Sequence, residues 1–134
     1  MEAVEILTKA ASLVGGERQR THGDKRANFE NIARLWNGYL RNIAAREGLS
    51  VQDAQAMELT AADVGSMMTL LKIARTQFGA FNMDDYIDAA GYAGCTGQVA
   101  KELEAERLVA CKRIVDETTE RVARMDAEAR LATK

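Results

Sequence analysis

Three aspartates stand close together in the segment NMDDYIDAAGYAG, residues 82 to 94, and clustered carboxylates are suited to bind a divalent cation or a basic side chain. On a helix, Asp84 and Asp88 share a face at i,i+4 spacing, and Asp85 and Asp88 are neighbours at i,i+3. Asp84 falls in the first turn, where a carboxylate stabilises the helix dipole, whereas Asp88 lies beyond that effect. We therefore predict a site at Asp85 and Asp88, and we assign Asp84 to the helix cap.

Two basic residues precede this segment, in LLKIAR, and they are the nearest candidates to face the carboxylates. Arg75 falls within an apolar helical stripe, so its guanidinium is expected to face the core and to need a partner. The stripe consists of Val64, Met67, Met68, Leu71 and Phe78. Lys72 lies one turn before Arg75. Two interpretations stay open: the carboxylates bind a metal ion such as Mg²⁺, or Asp88 forms a structural salt bridge with Arg75.

A second polar segment, RQRTHGDKRANFENIARLW, is predicted to lie at the start of a helix. Its first part contains Arg18, Arg20 and the lone histidine, His22. A basic loop at a helix N-terminus favours anions, so Lys25, Arg26 and Asn28 are candidates to bind the phosphates of a substrate. Trp36 could stack on a nucleobase, although a tryptophan in an apolar stripe usually packs in the core. The alternative for the whole segment is a solvated loop that joins two helices.

The composition predicts an all-α protein, because proline is absent, aromatic residues make up 5% of the chain, and strong helix formers dominate. The helices are expected at about 3–14, 27–46, a short piece after Ser50, 61–78, and from Asn82 to Gly94 or Gly97, with a continuation to the C-terminus as the alternative. Thr60 is the expected cap of the fourth helix, and Asp63 completes a capping box with it. The expected architecture is an antiparallel bundle of four to five helices with a long C-terminal helix.

Residues 1–134 are expected to form a single domain, with the bundle core at about 17–99 and the C-terminal helix at about 100–131. That helix has a 4-3 apolar spacing, interrupted at Thr118. Its members are Leu108, Cys111, Val115, Val122 and Met125. A narrow seam of this kind is suited to a partner helix, so we predict a homodimer or a higher homo-oligomer.

The net charge of −2 and the pI near 5.5 argue against nucleic acid as a partner, because no sequence-wide positive field exists. Cys95 and Cys111 have no CxxC spacing and no histidine partner, so neither a disulfide scaffold nor a zinc site is predicted and both are expected to be buried thiols. The first twenty residues lack a basic start and a long apolar run. We therefore predict no signal peptide, no membrane partner and a cytoplasmic protein.

Three segments, RTHGDKRANFENIARLW, LTAADVGSMMTLLKIAR and DDYIDAAGYAG, together resemble small bacteriophage and prophage proteins similar to the MazG-type all-α nucleoside triphosphate pyrophosphatases. The resemblance covers about residues 17–99. It implies a helical bundle, usually dimeric or tetrameric, that binds Mg²⁺ and cleaves a nucleoside or deoxynucleoside triphosphate into the monophosphate and pyrophosphate. If the protein is phage-encoded, it would act in the cytoplasm of the bacterial host.

The resemblance also implies roles for particular residues. The family has ExxE on one helix and ExxD on the next, and DYID resembles the second element, with Asp85 where the family has Glu and Asp88 where it has Asp. The resemblance thus implies that Asp85 and Asp88 are the metal ligands. The first element is not intact, so Glu30 and Asp63 are the candidates for a further ligand or a general base. Lys72 and Arg75 would contact the phosphates.

The predicted function is therefore a Mg²⁺-dependent nucleotide pyrophosphohydrolase of phage nucleotide metabolism. One alternative is a non-catalytic protein that binds and sequesters a nucleotide on the same bundle. Another is a structural protein that oligomerises through its C-terminal helix.

Overall fold

A computed structural model of the chain describes residues 1–16 and 24–132. The five helices within these ranges are α1 (Ala3–Gly15), α2 (Lys25–Arg46), α3 (Val51–Ala56), α4 (Ala61–Thr76) and α5 (Met83–Ala132). The described residues contain no strand, so the predicted all-α class with a long C-terminal helix is confirmed. None of the described helices combines the length and the apolar character that are needed to cross a membrane.

Local side-chain hydrogen bonds set where the central helices begin. At the start of α4, Thr60 N donates to Asp63 Oδ2 at 2.7 Å and Asp63 N donates to Thr60 Oγ1 at 3.2 Å, which is the predicted capping box. Asp53 N donates to Ser50 Oγ at 3.1 Å at the start of α3. These caps satisfy backbone N–H groups that have no partner within the helix.

Helix α2 begins earlier than the sequence pattern predicted. Its N-cap is Asp24, whose Oδ1 accepts from Ala27 N at 2.9 Å. Lys25 and Arg26 therefore lie in the first turn of α2, not in a loop before it. The rest of the polar segment, residues 17–23, lies outside the described residues, and with it Arg18, Arg20 and His22.

The chain divides into two compact units, Met1–Ala100 and Lys101–Lys134. The first unit contains α1 to α4 and the first part of α5. Its buried apolar residues are Ala10, Phe29, Ala33, Ala44, Ala61, Val64, Ile87 and Val99. The second unit is helical through Ala132, and residues 104 to 131 are exposed. The assignment of one domain to residues 1–134 stays a prediction.

In the first unit, α1, α2 and α4 all pack against the same stretch of α5. The ring of Phe29 on α2 stacks on Tyr92, with centroids 6.4 Å apart. Val14 Cγ2 of α1 lies 3.6 Å from the position that a Cβ on Gly91 would take, which is an ordinary van der Waals distance and places α1 over this part of α5. This packing fixes the first turns of α5 against α4.

At Gly65, α4 lies tightly against α5, and alanine there is expected to lower the free energy of unfolding by about 1 to 3 kcal/mol. Its Cβ would overlap Thr96 Oγ1 and lie 2.9 Å from Phe29 Cε2. Thr96 cannot turn away freely, because its hydroxyl donates to Tyr92 O at 2.7 Å. The measurement is urea unfolding against Gly38→Ala, whose Cβ meets nothing within 4 Å and which is expected to stabilise α2 by about 0.5 to 1 kcal/mol. Equal effects at the two glycines would contradict this packing.

Helix α4 differs from its prediction in length and in which face it buries. It ends at Thr76, two residues before Phe78, and its buried residues are Ala61, Val64 and Gly65. The predicted core residues Met67, Leu71 and Phe78 are exposed. The helix carries large apolar side chains around most of its circumference, so hydrophobic spacing alone did not define the buried face.

A buried amide, which the sequence analysis did not single out, ties α4 to α2. Asn37 Nδ2 donates to Leu59 O at 2.9 Å, and Leu59 N donates to Asn37 Oδ1 at 2.8 Å. The two hydrogen bonds satisfy the buried side chain and hold the residue before the Thr60 cap. The start of α4 is thus fixed at the opposite end from the carboxylates of α5.

Candidate functional site

The turn between α4 and α5 brings the basic residues and the aspartates together. Asn82 precedes α5 and caps it, since its Oδ1 accepts from Asp84 N at 3.2 Å. The antiparallel return places the last turns of α4 beside the first turns of α5. Lys72 and Arg75 on α4 consequently face Asp85 and Asp88 on α5.

Lys72 is the basic residue that lies between the two carboxylates. Its Nζ is 2.8 Å from Asp88 Oδ2 and 3.6 Å from Asp85 Oδ1. The three side chains are largely shielded from water, with exposed fractions of 14% for Lys72, 15% for Asp88 and 8% for Asp85. The hydrogen bond to Asp88 raises the pKa of Lys72, against the opposing effect of desolvation, so the lysine stays charged at neutral pH.

Arg75 does not occupy the core position that its place in the apolar stripe predicted. Its side chain is 59% exposed, and its Nε lies 3.8 Å from Asp85 Oδ1. The predicted structural pair of Arg75 with Asp88 is therefore wrong, because Asp88 pairs with Lys72 instead. Lys72 occupies the inner position since it follows Gly65 and Met68 along the face of α4 that packs on α5.

An open pocket of about 450 Å³ lies beside the pair of Arg75 and Asp85. Ala74, Phe78, Ala80 and Asn82 complete its lining. One edge of Asp85 and the guanidinium of Arg75 can therefore be reached by a small molecule from solvent. The Lys72 ammonium lies deeper, against Asp88.

Asn82 gives Asp85 a further partner that the sequence analysis did not identify. Asn82 Nδ2 donates to Asp85 Oδ2 at 3.1 Å, which orients the carboxylate. The i,i+3 spacing of Asn82 and Asp85 was the available signal. Asp84 is exposed in the first turn of α5, so its assignment to the helix start agrees with its position.

The two acids proposed as ligand or general base each have a partner outside the cluster. Glu30 Oε1 lies 2.9 Å from Arg26 Nε within α2. Asp63 Oδ2 accepts from the backbone and the hydroxyl of Thr60, both at 2.7 Å. Among the described residues, no group of three or more His, Cys, Asp or Glu side chains is placed to hold a metal ion. A catalytic role for Glu30 or Asp63 stays a prediction.

The predicted substrate residues on α2 are spread along that helix. Lys25 Nζ donates to Gln98 Oε1 of α5 at 2.8 Å, and Arg26 pairs with Glu30. Asn28 is exposed and Trp36 is half-buried. The structure does not test whether these side chains bind a ligand, and their roles remain predictions.

Alanine at Asp63 is expected to lower the free energy of unfolding by about 1 kcal/mol, because the capping box loses its acceptor. The hydroxyl of Thr60 lowers the pKa of Asp63. The stabilisation is therefore complete above the ordinary pKa of 3.8 and is lost as the pH falls through the lowered value. Thermal unfolding between pH 2 and pH 7 checks this expectation.

The same variant tests the catalytic role that the resemblance implies for Asp63. Thr60→Ala is the matched control, since it weakens the same cap and keeps the carboxylate. Nucleotide turnover that is lost with Asp63→Ala and kept with Thr60→Ala would assign Asp63 to catalysis. Equal turnover in the two variants would mean that Asp63 acts only in the helix cap.

Comparison with known proteins shows similarity to a phage-associated family. The family model described as "Domain of unknown function (DUF6378)" matches residues 5–100. The chain is 36% identical over 97 residues to the Gene 55 protein of Mycobacterium phage D29, covering 72% of this chain and 54% of the relative. It is 38% identical over 91 residues to the Gene 55 protein of Mycobacterium phage L5, covering 68% and 49%. The chain spans about half the length of these curated relatives, and no solved structure matches it.

Proposed function

This chain belongs to the DUF6378 family, a domain of unknown function with members in bacteriophages, and we propose that it is a Mg²⁺-dependent nucleoside triphosphate pyrophosphohydrolase. The observation that carries the proposal is the cluster of Lys72, Arg75, Asp85 and Asp88 at the turn between α4 and α5. We call these four residues the charged cluster. The resemblance of DYID to the second carboxylate element of MazG-type enzymes supports the same assignment.

The chemistry of the charged cluster fits a site for phosphate and a divalent cation. Mg²⁺ is commonly held by one or two protein carboxylates, while substrate phosphates and water complete its coordination. Asp85 and Asp88 supply two carboxylates, and the Lys72 ammonium that lies between them would have to move to a phosphate oxygen when the cation binds. Two protein carboxylates are therefore enough to hold Mg²⁺ together with substrate phosphates and water. Among the described residues, no third carboxylate joins them to form a metal-binding group.

The protein side chains would position the substrate and balance its charge. Arg75, which borders the open pocket, is the first cation that an incoming triphosphate meets. Lys72 then exchanges a carboxylate partner for a phosphate oxygen, and Asn82 keeps Asp85 oriented. Mg²⁺ held by Asp85 and Asp88 would neutralise phosphate oxygens and orient a water molecule for in-line attack.

The reaction consumes one water molecule and breaks the anhydride bond between the α and β phosphates. The products are the nucleoside monophosphate and pyrophosphate, and a proton passes to solvent. The contribution of the protein is positioning and electrostatic stabilisation, which is the usual enzymatic strategy for phosphoryl chemistry. We propose that the reaction runs in the cytoplasm of the bacterial host, where the substrates are made.

A second candidate function is nucleotide binding without turnover. It is favoured by the engagement of Asp63 with Thr60 and of Glu30 with Arg26, since neither acid is held ready to act at the charged cluster. In this case the four residues would bind the phosphates, and the nucleotide would be sequestered intact.

One assay separates the two candidates. The protein is incubated with each of the common nucleoside and deoxynucleoside triphosphates plus Mg²⁺, and pyrophosphate release is followed with binding measured in parallel. Pyrophosphate together with the monophosphate is the result expected for the enzyme. Saturable binding with no product would support sequestration, and neither binding nor product with any triphosphate would overturn both.

A further inference from the structure

The second unit of the chain leaves an apolar stripe of its helix in solvent. All members of the stripe are exposed: Leu108, Cys111, Val115, Thr118, Val122 and Met125. We call this stripe the 108–125 seam. Its 4-3 spacing is that of a coiled coil, and it is narrower than the apolar face of a helix that packs on a globular core. Most of the stability of a helix in a protein comes from packing of its apolar face, so a partner along the seam would stabilise this exposed stretch.

Thr118, which interrupts the apolar pattern, does not prevent burial of the seam. Its hydroxyl donates to Ile114 O at 2.7 Å on the same helix. The side chain is therefore already satisfied as a hydrogen-bond donor and can present its methyl group to a partner. Every position of the seam can accordingly enter an apolar interface.

We propose that the 108–125 seam binds the same seam of a second copy of this chain in an antiparallel two-helix coiled coil. In the central register, Leu108 faces Met125 of the second copy, and Cys111 faces Val122. Val115 faces Thr118 at the middle of the interface. Each of these layers pairs a larger side chain with a smaller or flexible one, so the apolar residues of both copies are covered by each other.

The charges beside the seam favour this orientation. Arg107 and Glu128 flank one side of the seam, and Lys112 flanks the other. Arg107 is held at the flank by Glu104, whose carboxylate lies 2.8 and 2.9 Å from the guanidinium nitrogens. In the antiparallel register Arg107 meets Glu128 of the second copy, and no like charges meet across the flanks.

A parallel arrangement is less favourable for the same flanking residues. It would place Arg107 against Lys112 of the second copy, while Arg121 would meet Asp126. The repulsive and attractive pairs would then offset each other, whereas the antiparallel register has only the attractive pair. The partner that fits the seam is therefore a second copy of the chain in the antiparallel orientation.

Disulfide trapping in the full chain tests the register, in a Cys95→Ala background so that Cys111 is the only native thiol. Val122→Cys is expected to form a covalent dimer of twice the 14.7 kDa chain mass on mild oxidation, because residue 122 faces Cys111 of the second copy. The background protein is expected to stay monomeric on a non-reducing gel. Ala123→Cys, one residue away and outside the seam, is the matched control and should not cross-link.

Two results would overturn the proposal. In a parallel pair, each seam residue faces the same residue of the second copy. The background protein would then cross-link through Cys111, and a variant with Cys111→Ala and Val122→Cys would cross-link through residue 122. If sedimentation equilibrium shows no dimer, the seam is not a dimer interface. The same conclusion follows if Val115→Asp weakens the dimer no more than Ala123→Asp does. The expected result is that Val115→Asp abolishes the dimer and that Ala123→Asp does not.

Discussion

Methionine in place of Lys72 is expected to lower the free energy of unfolding by about 3 kcal/mol, because two shielded carboxylates lose the ammonium between them. The loss lies at the lower end for a broken buried ion pair, since Lys72 and Asp88 keep some contact with water. Lys101→Met is the matched control: Lys101 is exposed, and its replacement is expected to change stability by less than about 0.5 kcal/mol. Urea unfolding of both variants measures the difference.

The alkaline limb of the pH profile gives a second readout of Lys72. The hydrogen bond to Asp88 raises the pKa of the folded lysine above its ordinary 10.5. Its stabilisation is therefore complete below pH 10.5 and is lost as the pH rises through the raised value. The stability difference between the wild type and Lys72→Met should accordingly shrink at high pH, and a difference that stays constant would contradict the ion pair.

The same variant separates a metal site from a purely structural salt bridge. With the ammonium removed, Asp85 and Asp88 lose the positive charge that lies between them, and a divalent cation can replace that charge. Mg²⁺ at about a hundred times its Kd should then restore about 2.7 kcal/mol to Lys72→Met. The wild type should gain less, since Lys72 competes for the carboxylates. No Mg²⁺-dependent recovery would argue that the cluster is structural.

The second large effect is expected at Asp88. Asparagine there is nearly isosteric but removes the negative charge, so it weakens both the hold on Lys72 and the donor set for a cation. Pyrophosphate release should fall about 100-fold or more, which is the effect of losing one key electrostatic group from an active site. The measurement is the initial rate at saturating triphosphate and Mg²⁺.

Asp84→Asn is the matched control for Asp88→Asn, because the same change is made on the same helix at an exposed position. It should retain wild-type turnover, with a small loss of helix stability. Circular dichroism confirms that both variants stay folded. Equal turnover in the two variants would mean that Asp88 is a structural partner of Lys72 and not part of an active site.

Much of the fold was predictable because its signals are local. The capping box of Thr60 and Asp63, the Ser50 cap and the Asn82 cap each depend on residues within one helical turn, and the structure has all of them. The sequence left open whether α5 ends at Gly94 or Gly97 or continues toward the C-terminus, and the structure has one helix from Met83 to Ala132. The caps needed no knowledge of tertiary contacts.

The charged cluster was only partly predictable, because it depends on which face of α4 meets α5. Spacing identified the pairing of Asp85 with Asp88, but apolar residues around most of α4 favoured Arg75 over Lys72 as the inward cation. The tight contact of Gly65 with Thr96, which lies far away in the sequence, turns this face of α4 toward α5. The prediction that both cysteines are buried is wrong for the single chain, since Cys111 is exposed on the 108–125 seam and Cys95 is half-buried.

Calorimetric titration with a non-hydrolysable triphosphate analogue tests most directly whether the charged cluster is a nucleotide site. The full chain, Asp88→Asn and Asp84→Asn are titrated with and without Mg²⁺. We predict saturable, Mg²⁺-dependent binding to the wild type and to Asp84→Asn, and loss of that binding in Asp88→Asn. Binding that is equal in all three proteins, or absent from the wild type with every base, would contradict a nucleotide site at Lys72, Asp85 and Asp88.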